Sequence, residues 1–263
     1  MEQFETQQPV RALIELSLGD VIVHASEQNT ATVEVAPVHA GRKADKEAAE
    51  ATAVDYWEGR LEVLAPKVRG LGFLGRPGAV VVTVKLPAGS DLEASTAFGD
   101  IIATGCLARA KAKTHAGDVR VEDGVSLELE TSAGDVEVGR VREEASLVSS
   151  TGGVRVEDVT GTLRVKCTTG EVSLGRVAGA AEVTCPYGSI RVREAVSGSL
   201  SITSAYSDLV VGIAAGTAAK VDVSTNHGRI RNELSRSASP PAAAERLELT
   251  ARTSYGSVTI RRA

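Results

Sequence analysis

Three aspartates, Asp100, Asp118 and Asp135, each follow a glycine directly and stand at nearly equal spacing along the chain. If equivalent positions lie on neighbouring turns of the chain, their carboxylates form a row. Such a row could hold calcium or supply the acid and base of polysaccharide cleavage. The competing interpretation is that each aspartate caps its own turn through a side-chain to backbone bond. Because the same position later carries glycine, serine and arginine, we predict no catalytic residues.

Aromatic side chains occupy the position just before the glycine in the last part of the chain. We predict a ligand-binding row there, formed by Tyr187, Tyr206, His227 and Tyr255. An exposed row of this kind could stack on sugar rings or on apolar side chains of a protein partner. Alternatively, the rings pack on one another or beneath the segment 235–244. The sequence leaves open whether this position faces the interior or the solvent.

Both rows belong to a repeat that is written nine times between Leu92 and Ile260. The pattern is apolar, any, apolar, any, Ser/Thr/Cys, any, any, Gly, polar, apolar, any, apolar, and Leu127–Val138 is a clean copy. The glycine position recurs every 17 to 19 residues through the first seven copies, and then after 21 and 28 residues. Apolar alternation on both sides of a glycine indicates two half-buried strands joined at a corner. The glycine position is occupied in order by Gly99, Gly117, Gly134, Gly152, Gly170, Gly188, Ser207, Gly228 and Gly256.

Two further columns of the repeat predict how the copies stack. Three residues before the glycine, every copy has a small hydroxyl or thiol side chain, which in a parallel coil could bond along the column or to the corner backbone. Six residues after the glycine, the charge alternates in sign through five copies. These columns favour an all-β fold, a parallel β-solenoid (single-stranded β-helix) of about nine 18-residue rungs, over an antiparallel meander or propeller. The small column is Thr96, Thr114, Thr131, Ser149, Cys167, Cys185, Ser204, Thr225 and Thr253, and the charged column is Asp123, Arg140, Asp158, Arg176 and Glu194.

Residues 1–88 lack the strict period, and we predict that they form a β-rich cap on a solenoid domain of residues 89–263. Leu16–Val23 echoes the repeat as a divergent opening rung, whereas Thr30–Val35, Arg60–Leu64 and Ala79–Leu86 predict further strands. Helix-forming composition predicts a short helix near residues 44–54. Glycine, proline and serine predict loops over 68–78 and 235–244. A cap would keep the edge of the first rung from pairing with other chains.

Composition and motifs speak against several function classes. A net charge of −5 gives no electrostatic basis for binding nucleic acid, and no apolar run is long enough for membrane insertion. The N-terminus shows no signal pattern, so we expect a cytoplasmic protein, or surface association through a partner. Three cysteines, an odd number, fit reduced thiols. Four scattered histidines offer no metal-ligand spacing, so we expect neither a metal nor a cofactor.

The segments Thr114–Val121 and Thr131–Val138 both read Thr-x-x-Gly-Asp-Val-x-Val, and Val84–Gly89 leads a strand into Leu-Pro-x-Gly. In these features the chain resembles a bacterial family of domains of unknown function labelled "putative adhesin", over roughly residues 10 to 262. The resemblance implies a β-solenoid and, through the family label, surface attachment. It implies no catalytic residues.

We therefore expect a non-enzymatic β-solenoid scaffold or adhesin-like protein that binds another protein or a second copy of itself. The basis is that every column of the repeat has a structural role. A carbohydrate-binding adhesive module that uses the aromatic row is the first alternative. A polysaccharide lyase or hydrolase that acts at the aspartate row is the second.

Overall fold

The computed structural model describes residues 2–6, 8–66, 77–234 and 245–263. The chain divides into two compact units, Met1–Ala133 and Gly134–Ala263. Both units are built of β-strands, and the described residues contain one helix. The predicted loop over 235–244 and all but the last two residues of the loop over 68–78 lie outside the described residues.

The described part of the first unit contains ten strands and the helix α1 (Lys43–Glu50). The helix predicted near residues 44–54 thus ends early, because residues 53 and 54 already belong to a strand. The strands are β1 (Glu2–Glu5), β2 (Arg11–Glu15), β3 (Gly19–Ser26), β4 (Thr30–Pro37), β5 (Ala53–Trp57), β6 (Arg60–Leu64), β7 (Val80–Pro87), β8 (Asp91–Phe98), β9 (Ile101–Ala116) and β10 (Val119–Ala133).

Equivalent strands of the first unit pair in parallel, in the register of the repeat. One series runs β6, β2, β8, β9 and β10, and it places Thr114 opposite both Thr96 and Thr131. The other series runs β7, β3, β9 and β10. Strands β2 and β3 precede all of these in sequence, yet they lie between strands that come later.

Antiparallel strands cover the outer edge of this unit. Strand β5 pairs with β6, β4 pairs with β7, and β1 pairs with β4, all antiparallel. The rings of Phe4 on β1 and Tyr56 on β5 stack with centroids 4.8 Å apart. The first parallel strands are therefore paired on both sides.

A buried carboxylate fastens the helix to this edge. The side chain of Asp45 in α1 is fully buried and accepts the backbone N–H of Ala79 at 3.0 Å and that of His39 at 3.1 Å. The guanidinium of Arg42 lies 3.2 Å away. The hydrogen bond from Ala79, with help from Arg42, holds the pKa of Asp45 below its usual value although desolvation opposes this.

The described part of the second unit contains twelve strands and no helix. Strand β11 continues from one corner of the repeat to the next, whereas later repeats break into two shorter strands. The strands are β11 (Val136–Thr151), β12 (Val154–Val159), β13 (Thr162–Thr169), β14 (Val172–Val177), β15 (Ala180–Thr184), β16 (Ile190–Ala195), β17 (Gly198–Thr203), β18 (Leu209–Ile213), β19 (Ala218–His227), β20 (Ile230–Asn232), β21 (Arg246–Tyr255) and β22 (Val258–Arg262).

These strands also pair in parallel, but their spatial order departs from the chain order. The strands before each glycine run β11, β13, β15, β17, β21 and β19. The strands after it run β11, β12, β14, β16, β18, β22 and β20. The last two copies, those of Gly228 and Gly256, have thus exchanged places relative to the expected stacking in sequence. The spacing of 28 residues between these glycines supplies the chain needed for the return.

The apolar columns form the core of each unit. In the second unit, Val154, Leu209 and Val258 stand two residues after the glycine position and are at most 1% exposed. Ile230 holds the same position on β20 but is 46% exposed. Asn232, which alone interrupts the column four residues after the glycine, lies on the same outermost strand and is exposed. The polar residue therefore marks where the core ends.

Each corner is held by the small column and by the glycine. Thr114 Oγ1 donates to the carbonyl of Gly99 at 3.0 Å, and Thr131 Oγ1 donates to that of Gly117 at 2.9 Å. In the second unit Ser149 bonds in the same way to Gly134. Gly117 has a φ of 145°, and a Cβ there would overlap the carbonyl oxygen of Gly99. The column thus bonds to the corner of the neighbouring repeat, which is one of the two predicted arrangements.

Cys167 and Cys185 fill two positions of the small column as buried free thiols. Their sulfurs lie 3.4 and 3.6 Å from the carbonyl oxygens of Gly152 and Gly170, where Thr and Ser hydroxyls lie in other repeats. The hydrogen bond with Cys185, together with burial, raises the pKa of the Cys167 thiol. A protonated, buried thiol packs as a small apolar group.

Candidate functional site

The aspartate row is used by the corners themselves. Asp100 Oδ1 accepts the backbone N–H of Asp118 at 2.8 Å, and Asp135 Oδ1 accepts that of Gly153 at 2.6 Å. Asp100 and Asp135 thus cap the corner of the next repeat, whereas the competing interpretation from the sequence placed such a bond within the aspartate's own turn. The cause is the parallel register, which brings the next corner's N–H within reach of the side chain. In the same way, the Asp20 carboxylate accepts the backbone N–H of Asp100, and the Asp208 carboxylate accepts that of Ser257.

A further oxygen of this row is also engaged. Asp118 Oδ2 binds the guanidinium of Arg120 at 2.7 Å. Across the described ranges there is no group of three or more His, Cys, Asp or Glu side chains placed to hold a metal ion. The contacts of the aspartate row therefore indicate a structural role, which is to stabilise the corners.

The aromatic row forms a stack of parallel rings on the second unit. We call it the aromatic ladder, and its spatial order is Tyr187, Tyr206, Tyr255 and His227. The ring centroids are 5.5 Å apart from Tyr187 to Tyr206, 4.9 Å from Tyr206 to Tyr255, and 4.7 Å from Tyr255 to His227. The two tyrosine pairs are inclined by only 4° and 3°. Because the last two repeats exchange places, Tyr255 rather than His227 follows Tyr206.

The corner backbone sets the spacing of the ladder. Parallel bridges join Tyr187 to Tyr206 and Tyr206 to Tyr255. The N–H of Tyr206 donates to the carbonyl of Pro186, and that of Tyr255 donates to Ala205, both at 2.8 Å. Parallel strands repeat at about 4.8 Å, a separation at which aromatic rings also stack. The backbone pairing of the corners therefore preorganises the ladder.

The ladder is open to solvent along its side. Tyr187, Tyr206 and Tyr255 are 51, 53 and 47% exposed, although each ring stacks on a neighbour. The two situations that the sequence presents as alternatives, rings packed on one another and rings exposed, therefore occur together. Stacking covers the ring faces and leaves the ring edges outward, except at the two ends, where one face of Tyr187 and one of His227 lie outside the stack.

Phe98 shows what the same repeat position does without aromatic neighbours. Its ring is 58% exposed, and the residues opposite it are Leu18 and Ala116. A single exposed aromatic side chain is common on protein surfaces, whereas a row of four is not. The ladder, rather than the position, is thus the distinctive feature.

The model of one protein family, described as Toastrack DUF4097, matches residues 13–262 of the chain. The chain belongs to the Toastrack DUF4097 family. The resemblance carried by the Thr-x-x-Gly-Asp-Val-x-Val copies is thereby confirmed, and the family is one of unknown function.

Solved structures similar to this Toastrack chain have diverged far in sequence. One, from Bacteroides fragilis and described as a "putative adhesin", is 12% identical, with 98% of this chain and 95% of that chain covered and a TM-score of 0.41. Another "putative adhesin", from Parabacteroides merdae, is 11% identical over 100% and 95% of the two chains, with a TM-score of 0.36. A "putative lipid binding protein" from Parabacteroides distasonis is 12% identical over 100% and 96%, with a TM-score of 0.28.

None of the curated proteins matches the Toastrack chain. In the described residues, no helix has the length and apolar character needed to cross a membrane.

The first unit of this Toastrack chain also has a groove that the sequence did not predict. It has a volume of about 1070 Å³ and is lined in part by Trp57, Arg60, Asp91 and Arg109. The guanidinium of Arg60 lies 5.6 Å from the centroid of the Trp57 ring and also binds Glu62 at 2.7 Å. The hydrogen bond from Arg109 to Asp91 raises the pKa of Arg109. In the sequence, the adjacent Tyr and Trp of β5 were the available signal for this groove. Most of the charged groups of the groove pair with one another.

Proposed function

We propose that this protein is a non-enzymatic scaffold that binds another protein, or a second copy of itself, along the aromatic ladder. In this proposal its repeats form a single-stranded β-solenoid of about nine 18-residue coils over residues 89–263, and residues 1–88 form its cap. The parallel registers within each unit support the solenoid.

The observation that carries the proposal is the exposed, preorganised ladder. Tyr187, Tyr206, His227 and Tyr255 are the proposed contact residues. Three of the rings are about half exposed and are already fixed by stacking, so a partner would lose little side-chain entropy by binding them. Tyrosine offers an apolar edge and a hydroxyl together, which suits protein interfaces.

The repeat's other reactive groups support a non-enzymatic role. Asp100 and Asp135 each bind the backbone of a neighbouring repeat, and Thr114 and Thr131 do the same with their hydroxyls. An acid or base held in this way would have to break a corner in order to act. The cytoplasmic location stays part of the proposal, supported by three free cysteines, and cell fractionation tests it.

Capture experiments on the full chain test the proposal. Immobilised wild-type protein should retain a specific partner from extracts of its own cells, identified by mass spectrometry, and the Tyr206→Ala/Tyr255→Ala variant should lose it. Phe98→Ala is the matched control, because it removes an equally exposed ring at the same repeat position. Equal capture by all three proteins, or a strict monomer that captures nothing, would refute the proposal.

A carbohydrate is the second candidate ligand, and the end of the ladder at His227, on the outermost strand β19, favours it. Sugars stack on ring faces, and one face of Tyr187 and one of His227 lie outside the stack. A glycan array should then respond to Tyr187→Ala or His227→Ala more than to Tyr206→Ala, whose two faces are covered. Unchanged binding in the two end variants would exclude sugar stacking at the ladder.

A further inference from the structure

The second unit ends in an edge that no described strand covers. Strand β21 pairs with β17 on one side and β19 on the other, and β22 pairs likewise with β18 and β20. Strands β19 and β20 are thus the outermost pair. In the described ranges, neither has a partner strand on its far side.

The core below this edge is incompletely covered. Val221 and Val223 of β19 face inward but are only half-buried, whereas Leu249 and Ala251, their partners on β21, are fully buried. Ile230 on β20 is 46% exposed. One more layer would bury these side chains, and each square ångström of apolar surface removed from water contributes about 25 cal/mol.

The backbone of β19 directs its free hydrogen-bonding groups at specific residues. Ala218 N–H donates to the carbonyl of Glu245 at 2.8 Å, so the even-numbered residues of β19 bond toward β21. Because these groups alternate along a strand, Val221 and Val223 direct their N–H and C=O toward the open edge. A second strand can add there through main-chain hydrogen bonds.

The charges of β19 fit a second copy of the same strand. Lys220 and Asp222 flank Val221 and point outward. In an antiparallel pair centred on Val221, Lys220 of each copy lies opposite Asp222 of the other, twice by symmetry. We propose that the protein forms a two-fold symmetric dimer through β19, with Val221 on the axis. This dimer goes beyond the proposed function, because it uses the edge of β19 and not the aromatic ladder.

The register follows from two independent conditions. Any centre on a residue, rather than between two residues, puts the free N–H and C=O groups of both copies against each other, but a centre on Lys220 or Asp222 would set that charge against its own copy. Of the odd centres, Val223 would place Asp222 opposite Ser224, and Ala219 would place Lys220 opposite Ala218, so neither forms a charge pair. Only Val221 satisfies both conditions, and it also sets Ala219 against Val223 on the inward side.

Contacts within one copy extend into the proposed interface. Lys220 binds Glu248 of β21 at 2.7 Å, and Asp222 lies 3.7 Å from Arg252. Across the axis these pairs become a row that alternates in sign, Glu248, Lys220, then Asp222 of the second copy. Such a self-complementary patch is what a closed two-fold dimer requires.

Two charge variants and their mixture test the dimer. Light scattering after size exclusion should show a wild-type dimer, whereas Lys220→Asp and Asp222→Lys should each raise the dimer dissociation constant at least about tenfold, since like charges then face each other. Mixed in equal amounts, the two variants should form a one-to-one heterodimer, visible by native mass spectrometry. The lost pair with Glu248 is common to monomer and dimer, so it does not mimic this result.

Val221→Pro is a second, independent variant. It removes an N–H that points to the open edge, which the monomer tolerates better than loss of an N–H within the sheet, and it should abolish the dimer. Unfolding curves and circular dichroism check that each variant folds. A wild type that stays monomeric at every concentration, or variants that dimerise as the wild type does, would overturn the inference.

The ladder experiment separates this failure from that of the proposed function. Loss of the dimer in Tyr206→Ala, with β19 variants unaffected, would assign self-association to the ladder and overturn the β19 interface only. If the protein captures a partner through the ladder and stays monomeric, the β19 interface is likewise overturned, and the proposed function stands. A dimer that responds to the β19 variants alone would support the inference whatever the ladder binds.

Discussion

The two units finish their outer edges in opposite ways. In the first unit, antiparallel strands β4 and β5 pair with the outermost parallel strands β7 and β6, and stacked rings of Phe4 and Tyr56 join β1 to β5. In the second unit, β19 and β20 have a partner on one side only within the described ranges. The outermost parallel strands of the first unit are thus hydrogen-bonded on both sides. Those of the second unit have backbone N–H and C=O groups that no described strand pairs.

A shared feature makes this difference informative. In each unit a strand pair from near the chain terminus, β2/β3 or β21/β22, lies between two pairs from other parts of the sequence. Strands placed in this way have hydrogen-bonded neighbours on both sides. The outermost pair in each unit is thus an internal segment of the chain, and within the described residues only the pair of the first unit is covered by neighbouring strands.

The charges of β19 have a competing explanation. Charged side chains on an edge strand commonly serve to prevent pairing with other chains. Lys220 and Asp222 would then keep the protein monomeric. The mixed-variant experiment decides between these roles, because edge protection predicts no heterodimer.

The largest expected effect comes from burying a charge away from both edges. Val156 is fully buried between Val138 and Leu174, so Val156→Asp should lower the free energy of unfolding by about 4 kcal/mol or more. Ile230→Asp on the open edge should cost less than about 1 kcal/mol, because water reaches that side chain. Urea denaturation measures both.

Similar losses for Val156→Asp and Ile230→Asp would show that the edge of the second unit is covered in solution. Concentration-dependent losses at Ile230 would point to a second copy as the cover. Either result would sharpen the contrast between the two units.

The second effect concerns a buried carboxylate at the closed edge. Asp45→Asn should lower Tm by several degrees, since the N–H groups of Ala79 and His39 and the charge of Arg42 lose an anionic partner. Because the pKa of Asp45 is lowered in the fold, its contribution is present above about pH 4 and is lost as the pH falls through the folded value.

Thermal unfolding between neutral and acidic pH measures this effect. The wild type should lose its advantage over Asp45→Asn as the pH falls. Glu248→Gln, on the strand next to the open edge, is the matched control, because Lys220 lowers the pKa of this exposed glutamate and solvent screens the interaction. An equal pH response in the two variants would mean that Asp45 is not buried in solution.

Much of the second unit follows from the repeat in the sequence. The period and alternation predict which residues face the core. The small column predicts bonding either along the column or to the corner backbone, and Ser149 shows the second. The strand order was not predicted, because a column gives a residue's place within a repeat and not the neighbour of that repeat. Asn232 and the spacing of 28 residues were the available signals.

The candidate site shows the same limit. The sequence singles out Tyr187, Tyr206, His227 and Tyr255, but exposure at a corner depends on side-chain direction, which alternation does not determine there. The competing interpretation placed the bond of each aspartate within its own turn, because local bonds are the ones that a sequence displays directly. The contact from Asp100 to Asp118 spans 18 residues and requires the register.

A smaller effect should separate buried corners from edge corners. Thr131→Val leaves the carbonyl of Gly117 without its buried donor and should cost about 1–2 kcal/mol in unfolding free energy. Thr225 on β19 makes the equivalent bond to Gly256 at 3.0 Å but is only half-buried, so Thr225→Val should cost less than about 1 kcal/mol. If Thr131→Val matched Val156→Asp in severity, the inward and outward assignments of the columns would be wrong.

The smallest effect tests whether surface charges help to set the register. Asp158 lies 3.6 Å from Arg140 and 3.5 Å from Arg176, on strands to either side of its own. Asp158→Asn should cost about 0.5 kcal/mol at low ionic strength, and the difference should vanish in about 1 M salt, where the Debye length is about 3 Å. A loss that persists in salt would mean that Asp158 acts through its packing or hydrogen bonds. The parallel register would then depend on the corners, where the neighbouring backbone is bound directly, and the alternating charges would follow from that register instead of enforcing it.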